Sequence, residues 1–153
     1  MRDKRFVAVH RGGMLTKDRH HQLIRWAREC SEHEISRAGR DPDPRLVRAL
    51  QVAKEWEEGI VTVGEARNTA VGAIAAARES SDPVMEALAR SAGHAVATAH
   101  MADHAPGAAD YALKAVKLAG GSVEEERQWQ DDRLPPDIRE LVITARQKKH
   151  LRL

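Results

Sequence analysis

The chain has 153 residues, of which 42% are hydrophobic and 31% charged, and this balance excludes a disordered or membrane-embedded protein. The 25 basic and 23 acidic residues leave a net charge of +2, which argues against nucleic acid as a partner. The single cysteine, Cys30, excludes an internal disulfide, and no apolar run has the length of a membrane span. We therefore expect one cytoplasmic domain over residues 1–153 that binds no membrane and needs no cofactor.

The N-terminal residues 1–15 contain the one strand-like run of the sequence. Residues 6–9 are apolar and are followed by Gly12 and Gly13, a pattern that predicts a short extended arm. Thr16 then predicts the N-cap of a first helix that ends near Gly39. Cys30 lies on the apolar face of this helix, so we interpret it as a buried, unreactive thiol.

Helix start and stop residues continue along the rest of the chain. Each predicted helix begins at a capping residue or a proline, and the ranges are roughly 17–38, 44–58, 63–80, 83–104, 106–119, 123–134 and 136–145. The basic residues 146–153 are interpreted as a frayed tail. The sequence therefore predicts an all-α protein, a bundle of about seven helices with negligible sheet.

The middle of the chain is poor in charge and rich in small side chains. Residues 59–121 contain 19 alanines, which let helix backbones approach closely. Trp26, Trp56 and Trp129 lie on separate helices, and we expect each to fill space between them. The interior of a compact bundle should therefore form around this stretch.

Three histidines and an aspartate between residues 94 and 104 form the densest group of metal-ligating side chains. On one continuous helix, His100 and His104 are about 40° apart around the axis, whereas His94 is about 120° from His100. This geometry excludes His94 from a shared metal and leaves His100, Asp103 and His104 as candidates for zinc or iron and for a metal-dependent hydrolase. The alternative is that these histidines form hydrogen bonds with a neighbouring helix.

Two other groups of polar residues invite a functional interpretation. His20 and His21 are adjacent and would point about 100° apart on a helix, so we expect both to be solvent-exposed.

Glu57 and Glu58 follow Trp56 at a helix end, where carboxylates oppose the helix dipole. They either pair with arginines across the bundle, such as Arg67, or present an acidic patch to a basic partner. The same alternatives apply to the acidic residues near Trp129: Glu124, Glu125, Glu126, Asp131 and Asp132.

Five short motifs occur in a defined order along residues 20–145. They are Trp26-Ala27-x-x-Cys30, Leu50-x-x-Ala53-x-x-Trp56-x-x-Gly59, Gly93-His94-Ala95-Val96-Ala97-Thr98-Ala99-His100, Tyr111-Ala112-x-Lys114-Ala115 and Glu125-x-x-x-Trp129-Gln130-x-x-x-Leu134-Pro135. In this order they resemble the immunity proteins of bacterial polymorphic toxin systems. The resemblance implies a small all-α cytoplasmic protein that binds a cognate toxin domain and neutralises it without catalysis.

Four residues of the chain stand at motif positions that could contact the toxin, namely Trp56, His94, His100 and Trp129. Together with the acidic Glu57 and Glu58, they are the predicted partner-binding residues. A toxin inhibitor needs a rigid scaffold and a complementary surface rather than an active site. Two alternatives remain open, the hydrolase centred on His100, Asp103 and His104 and a homodimeric scaffold formed through the alanine-rich helices.

Overall fold

The computed structural model of the chain describes residues 2–151. Within them, 3-10 turns at Lys4–Phe6 and Val9–Arg11 precede seven α-helices. These are α1 (Lys17–Arg37), α2 (Pro44–Glu57), α3 (Val63–Glu79), α4 (Pro83–Ala97), α5 (His104–Leu118), α6 (Val123–Asp132) and α7 (Pro136–Leu151). The chain is 76% helical, and the described residues contain no strand. The predicted all-α bundle of seven helices is confirmed, and none of these helices is both long and apolar enough to cross a bilayer.

Most predicted helix starts are confirmed because local side chains cap the free N–H groups of the first turn, whereas α5 begins at His104, two residues before the predicted Pro106. Five N-cap side chains accept a hydrogen bond from a backbone N–H two or three residues later, namely Thr16, Asp43, Thr62, Asp82 and Ser122. Proline occupies the first helical position after two of them, where its missing N–H has no partner to lose.

The prediction of one helix from Pro83 through His104 is wrong, because α4 ends at Ala97 and α5 begins at His104. Residues 98–103 form a turn instead. A continuous helix into α5 would have to contain Pro106, which lacks an N–H and clashes with the carbonyl four residues earlier. A new helix that begins at His104 places Pro106 in its first turn, where proline is tolerated.

The N-terminal segment is more compact than the predicted extended arm. Its two 3-10 turns bring Ala8 opposite Leu15 in an isolated parallel bridge. Phe6 and Leu15 are both buried, so the segment folds back onto the helices. Gly13 permits this return, since a Cβ atom there would lie 2.0 Å from the carbonyl oxygen of Val7.

The core is one continuous hydrophobic cluster that runs from Phe6 to Val142 and is built largely from alanines of α3, α4 and α5. Trp26 is fully buried and donates its indole N–H to the carbonyl oxygen of Gln130 over 2.8 Å. Trp56 and Trp129 are only half-buried, so Trp26 alone among the tryptophans fills the interior as predicted. Cys30 is buried as predicted, and desolvation raises the pKa of its thiol well above the usual value.

The C-terminal helix continues through most of the segment predicted to fray. Lys149, near the end of α7, lies 2.5 Å from the carboxylate of Asp110 on α5. Fraying of residues 146–153 stays a prediction, and residues 152 and 153 lie outside the described part of the chain.

Candidate functional site

A cavity of about 470 Å³ opens at the end of the bundle where the N-terminal turns meet four helix ends. Its walls come from the start of α1, the end of α2, the start of α3 and the turn between α4 and α5. The lining side chains are Arg2, Phe6, Ala8, Val9, His10, Arg11, Leu15, Lys17, His20, His21, Trp56, Val63, Ala99, His100 and Ala102. Two predicted partner-binding residues, Trp56 and His100, thus meet at one site.

Two histidines of α1 contact Trp56 at the cavity wall. The ring centroids of His20 and Trp56 are 4.8 Å apart, and those of His21 and Trp56 are 5.2 Å apart in an edge arrangement. His20 donates from Nε2 to the carbonyl oxygen of Thr98 over 2.6 Å. Burial lowers the pKa of both histidines, so both rings are neutral at pH 7. The predicted solvent exposure of both is wrong, since both are half-buried.

His100 brings an unused hydrogen-bonding atom to the same cavity. It lies in the turn between α4 and α5, two residues after the Thr98 carbonyl that holds His20. Among the described residues, its buried Nδ1 atom has no hydrogen-bond partner. Burial and the neighbouring His104 lower the pKa of His100, so the ring is neutral at pH 7. Leaving a buried polar atom unpaired costs roughly 1–3 kcal/mol.

The charged residues that line the cavity are all basic. Its lining contains three strong cations and four histidines, and no acidic residue of the described chain contributes to it. Arg2 is neutralised by Asp103, with its Nη2 atom 3.1 Å from Oδ1. Arg11 and Lys17 form no ion pair within residues 2–151 and are both exposed, so two positive charges remain available at the rim.

Apolar side chains surround the mouth of the cavity. Val9 is 57% exposed and Val63 is 40% exposed, and both also line the interior. Ile60, which lies three residues before Val63, is 65% exposed. Exposed apolar side chains are unremarkable singly, but a group of them around a concave opening is typical of an interaction site.

The histidines of the predicted metal site are arranged differently from the prediction. Because His104 starts a new helix, its Nδ1 atom lies 3.1 Å from Nδ1 of His94, so the predicted separation of His94 from this group is wrong. The rings of His100 and His104 are 5.5 Å apart, while Asp103 is held by Arg2. Within the described residues, these side chains do not bring three ligand atoms together.

A second polar cluster joins α1 to α6, and sequence reasoning missed it. His33 donates from Nδ1 to Glu126 Oε2 over 2.7 Å, and Arg37 lies 3.1 Å from Glu34 and 3.3 Å from Glu126. The imidazole of His33 stacks on the ring of Trp129 at 3.6 Å. Desolvation and the neighbouring Glu126 raise the pKa of Glu34 to about 7. His33, Glu34 and Glu126 each place one potential metal-ligand atom close to the other two. The guanidinium of Arg37, however, already supplies the positive charge that a metal ion would bring to these carboxylates.

Three of the seven acidic residues predicted to form acidic patches contact basic side chains elsewhere in the protein. Glu57 pairs with Arg25 rather than with Arg67, and Glu126 is buried beside His33. Asp131 accepts a hydrogen bond from Arg146 over 3.0 Å. Intramolecular pairing was one of the two alternatives for these residues, and it holds for these three carboxylates, whereas Glu58 is exposed.

The six predicted partner-binding residues therefore occupy three regions of the molecule. Trp56 and His100 line the cavity, with Glu57 and Glu58 beside them in sequence, His94 packs between α4 and α5, and Trp129 contacts the far end of α1. His20, which contacts Trp56, and His33, which contacts Trp129, are 13 positions apart on α1. This separation corresponds to about 20 Å along the helix, so the two tryptophans lie far apart. Sequence reasoning missed Arg11 and Lys17 as cavity residues, because their proximity to Trp56 depends on how the N-terminal turns fold back.

Comparison with known proteins adds one match. The family model described as "Imm-5 like putative immunity protein" matches residues 13–137. The matched range begins within the N-terminal turns and ends in the first turn of α7, so it includes α1 to α6 completely. No curated protein and no solved structure matches the chain.

Proposed function

Since this chain belongs to the family of Imm-5 like immunity proteins, we propose that it binds a cognate toxin domain in the cytoplasm and neutralises it by occupying a surface the toxin needs. The family match over residues 13–137 is the observation that carries this proposal. An inhibitor of this kind needs a rigid scaffold with a complementary face and no catalytic group of its own. A closely packed helical bundle suits that role.

The proposed toxin-binding face is the end of the bundle around the cavity mouth. Its centre is the half-buried Trp56 with the neighbouring His100, and its rim carries the exposed Val9 and Val63. Aromatic residues surrounded by apolar contacts supply most of the binding energy in protein interfaces. Glu58, which is exposed beside this face, would contribute at its polar edge.

The other proposed contact residues are less suited to the same face. His94 is engaged with His104 and Tyr111, and Trp129 is stacked on His33 at the other end of α1. We therefore assign His94 and Trp129 to the packing of the scaffold in this proposal.

The hydrolase and homodimer alternatives have weaker support in the geometry. A hydrolase centred on His100, Asp103 and His104 would need Asp103 as a ligand, whereas Arg2 binds both carboxylate oxygens of Asp103. A homodimer through the alanine-rich helices would need exposed alanine faces, whereas the alanines of α4 and α5 are largely buried inside the bundle. Neither alternative has an observation that favours it over toxin binding.

The proposal is tested by identifying the partner and then measuring protection. A tagged chain is used to capture bound polypeptides from its source cells, and each captured polypeptide is expressed alone and with the chain in a bacterial host. We expect one partner that arrests growth alone and is harmless when the chain is present. If no captured polypeptide is toxic, the protein is not an immunity protein.

Matched variants then test the proposed face. Val9→Asp combined with Val63→Asp places charge on two exposed residues at the cavity mouth and should abolish protection. Leu118→Asp changes an apolar residue of similar exposure, 48%, at the end of α5 and should leave protection intact. Equal protection by all variants would place the toxin-binding face elsewhere on the molecule.

A further inference from the structure

We propose that the cavity at the end of the bundle binds an acid group attached to an apolar body, and that the toxin presents this group. This inference deepens the proposed function, on which it rests for the source of the acid. It reverses the usual expectation of an acidic inhibitor facing a basic toxin, because Arg11 and Lys17 line the cavity without an ion pair within residues 2–151, whereas the acidic Glu58 lies only at the edge of the face.

The walls of the cavity select an apolar body. Phe6, Leu15, Trp56 and Val63 supply its larger apolar surfaces, and Ala8, Ala99 and Ala102 complete the lining. A volume of about 470 Å³ lies within the range of roughly 300–1,000 Å³ that is typical of small-ligand sites. An aromatic or branched aliphatic side chain of the bound segment, together with the residues next to it in that segment, would fill this space beside Trp56.

The rim of the cavity selects a negative charge. Arg11 and Lys17 are exposed and have no carboxylate partner within residues 2–151, whereas Arg2 is already paired with Asp103. An acid at the rim would pair with the two cations while it stays partly hydrated, so its desolvation penalty would be small.

The apolar surface continues out of the cavity, and this favours a protein as the source of the acid. Val9 and Val63 line the cavity and are also exposed at the surface of the protein, and Ile60, three residues before Val63, is a further exposed apolar residue of this segment. A free organic acid would be covered by the cavity alone and would not use the rim. A toxin segment with an acidic residue next to an apolar one would use both the cavity and the rim.

The chemistry of the cavity is tested on the purified chain with two fluorescent probes that share their aromatic rings. Anilinonaphthalene sulfonate carries an acid group, and phenylnaphthylamine lacks it. The variant Arg11→Gln with Lys17→Gln should weaken binding of the sulfonate about fivefold to tenfold at low salt and change binding of the amine less than twofold. Added salt should weaken binding of the sulfonate selectively.

Two controls locate the effect in the cavity. Arg78→Gln with Lys114→Gln removes two exposed cations that do not line it, and both probes should bind this variant as they bind the wild type. Energy transfer from tryptophan to the bound sulfonate should decrease more in Trp56→Phe than in Trp129→Phe. A cavity variant that weakens both probes equally, or neither, would overturn the proposed selectivity.

The source of the acid is tested in two further arms. If the toxin supplies it, the toxin captured above displaces the bound sulfonate, and native mass spectrometry of the purified protein shows the bare chain. An organic acid that co-purifies with the wild type and is lost from the cavity variant would overturn the toxin as the source. A toxin that is neutralised without displacing the sulfonate would refute this inference and leave the proposed function intact.

Discussion

At the scale of single residues, the unusual feature is the pair of buried carboxylates between α1 and α6. Glu126 is 2% exposed and Glu34 is 8% exposed, and Arg37 is shared between them. One guanidinium cannot compensate two adjacent buried negative charges in a poorly hydrated environment. Burial therefore raises the pKa of both carboxyls, and Glu34, whose pKa rises to about 7, holds its proton well above the pH at which a free glutamate ionises.

Replacement of Glu34 should change how stability depends on pH. The pKa of Glu34 is about 7 in the folded protein and 4.5 for a free glutamate, so its ionisation above pH 4.5 favours the unfolded state. Glu34→Gln removes this ionisation, and the variant should gain stability relative to the wild type as the pH rises from about 4.5 to 7. Urea unfolding at several pH values measures the difference, in which the contributions of histidines distant from Glu34 cancel, whereas His33 lies 3.5 Å from Glu34 and belongs to the same titrating cluster.

The matched control for this prediction is Glu32→Gln, two residues away on α1. Within the described residues, the exposed Glu32 pairs with Arg28 and belongs to no buried carboxylate pair, so its substitution should not reproduce the gain in stability between pH 4.5 and 7. A flat difference between Glu34→Gln and the wild type would show that Glu34 ionises normally in the folded protein.

At the scale of helices, close approach of α4 and α5 organises the centre of the bundle. Ser91 on α4 donates its hydroxyl to the carbonyl oxygen of Ala108 over 2.7 Å and accepts from Ser31 of α1 at 2.6 Å. His94 packs directly against the backbone of α5 at Gly107. The absence of a side chain at Gly107 therefore allows the imidazole to lie between the two helices.

Gly107→Ala should destabilise the protein, although alanine normally favours helices. A Cβ atom at residue 107 would lie 2.8 Å from Nδ1 of His94, whose ring cannot move away freely because His104 and Tyr111 are adjacent. We expect a loss of about 1–2 kcal/mol, since overpacking outweighs the helix propensity gained. Chemical denaturation of the purified variant measures this change.

Gly72→Ala is the natural comparison for that variant. Gly72 lies inside α3, and a Cβ atom there would meet nothing within 4 Å, so this substitution should stabilise the protein by roughly 0.5–1 kcal/mol. Equal effects at the two glycines would mean that α4 and α5 are not packed as closely as the structure describes.

At the scale of the whole molecule, the helices share one core. The hydrophobic cluster begins at Phe6 and ends at Val142, and it includes residues from α1 to α5 and from α7. The buried Gln130 of α6 donates to the carbonyl oxygen of Ala109 on α5 and accepts from Arg146 on α7. Both terminal segments are therefore attached to the same interior as the central helices.

A single core predicts cooperative unfolding of residues 1–153 as one domain. Trp26 fluorescence, isolated in the variant Trp56→Phe with Trp129→Phe, should report the same urea midpoint as far-ultraviolet circular dichroism. Trp26 is the suitable probe because it is buried where α1 contacts Gln130. Separate midpoints for the two signals would show that α6 and α7 unfold independently of the centre.

The number and limits of the helices could be predicted almost completely, whereas the candidate site could be predicted only in part. Capping residues and prolines act within two or three positions, so Thr16, Asp43 and Ser122 are recognisable without knowledge of the fold. The same local signals failed where α4 ends, since the turn at residues 98–103 depends on Pro106 beyond it. Trp56 and His100 were identified through the family resemblance, but their common cavity was not.

The sequence by itself determined that this protein is a helical bundle of the immunity family, because helix caps, alanine content and motif order are properties of neighbouring residues along the chain. The tertiary structure alone decided which polar groups meet. His20 binds the carbonyl of residue Thr98 across 78 positions, and His33 binds Glu126 across 93. Such pairs are set by the packing of entire helices, which no short segment encodes, and the cationic cavity and the raised pKa of Glu34 arise in the same way.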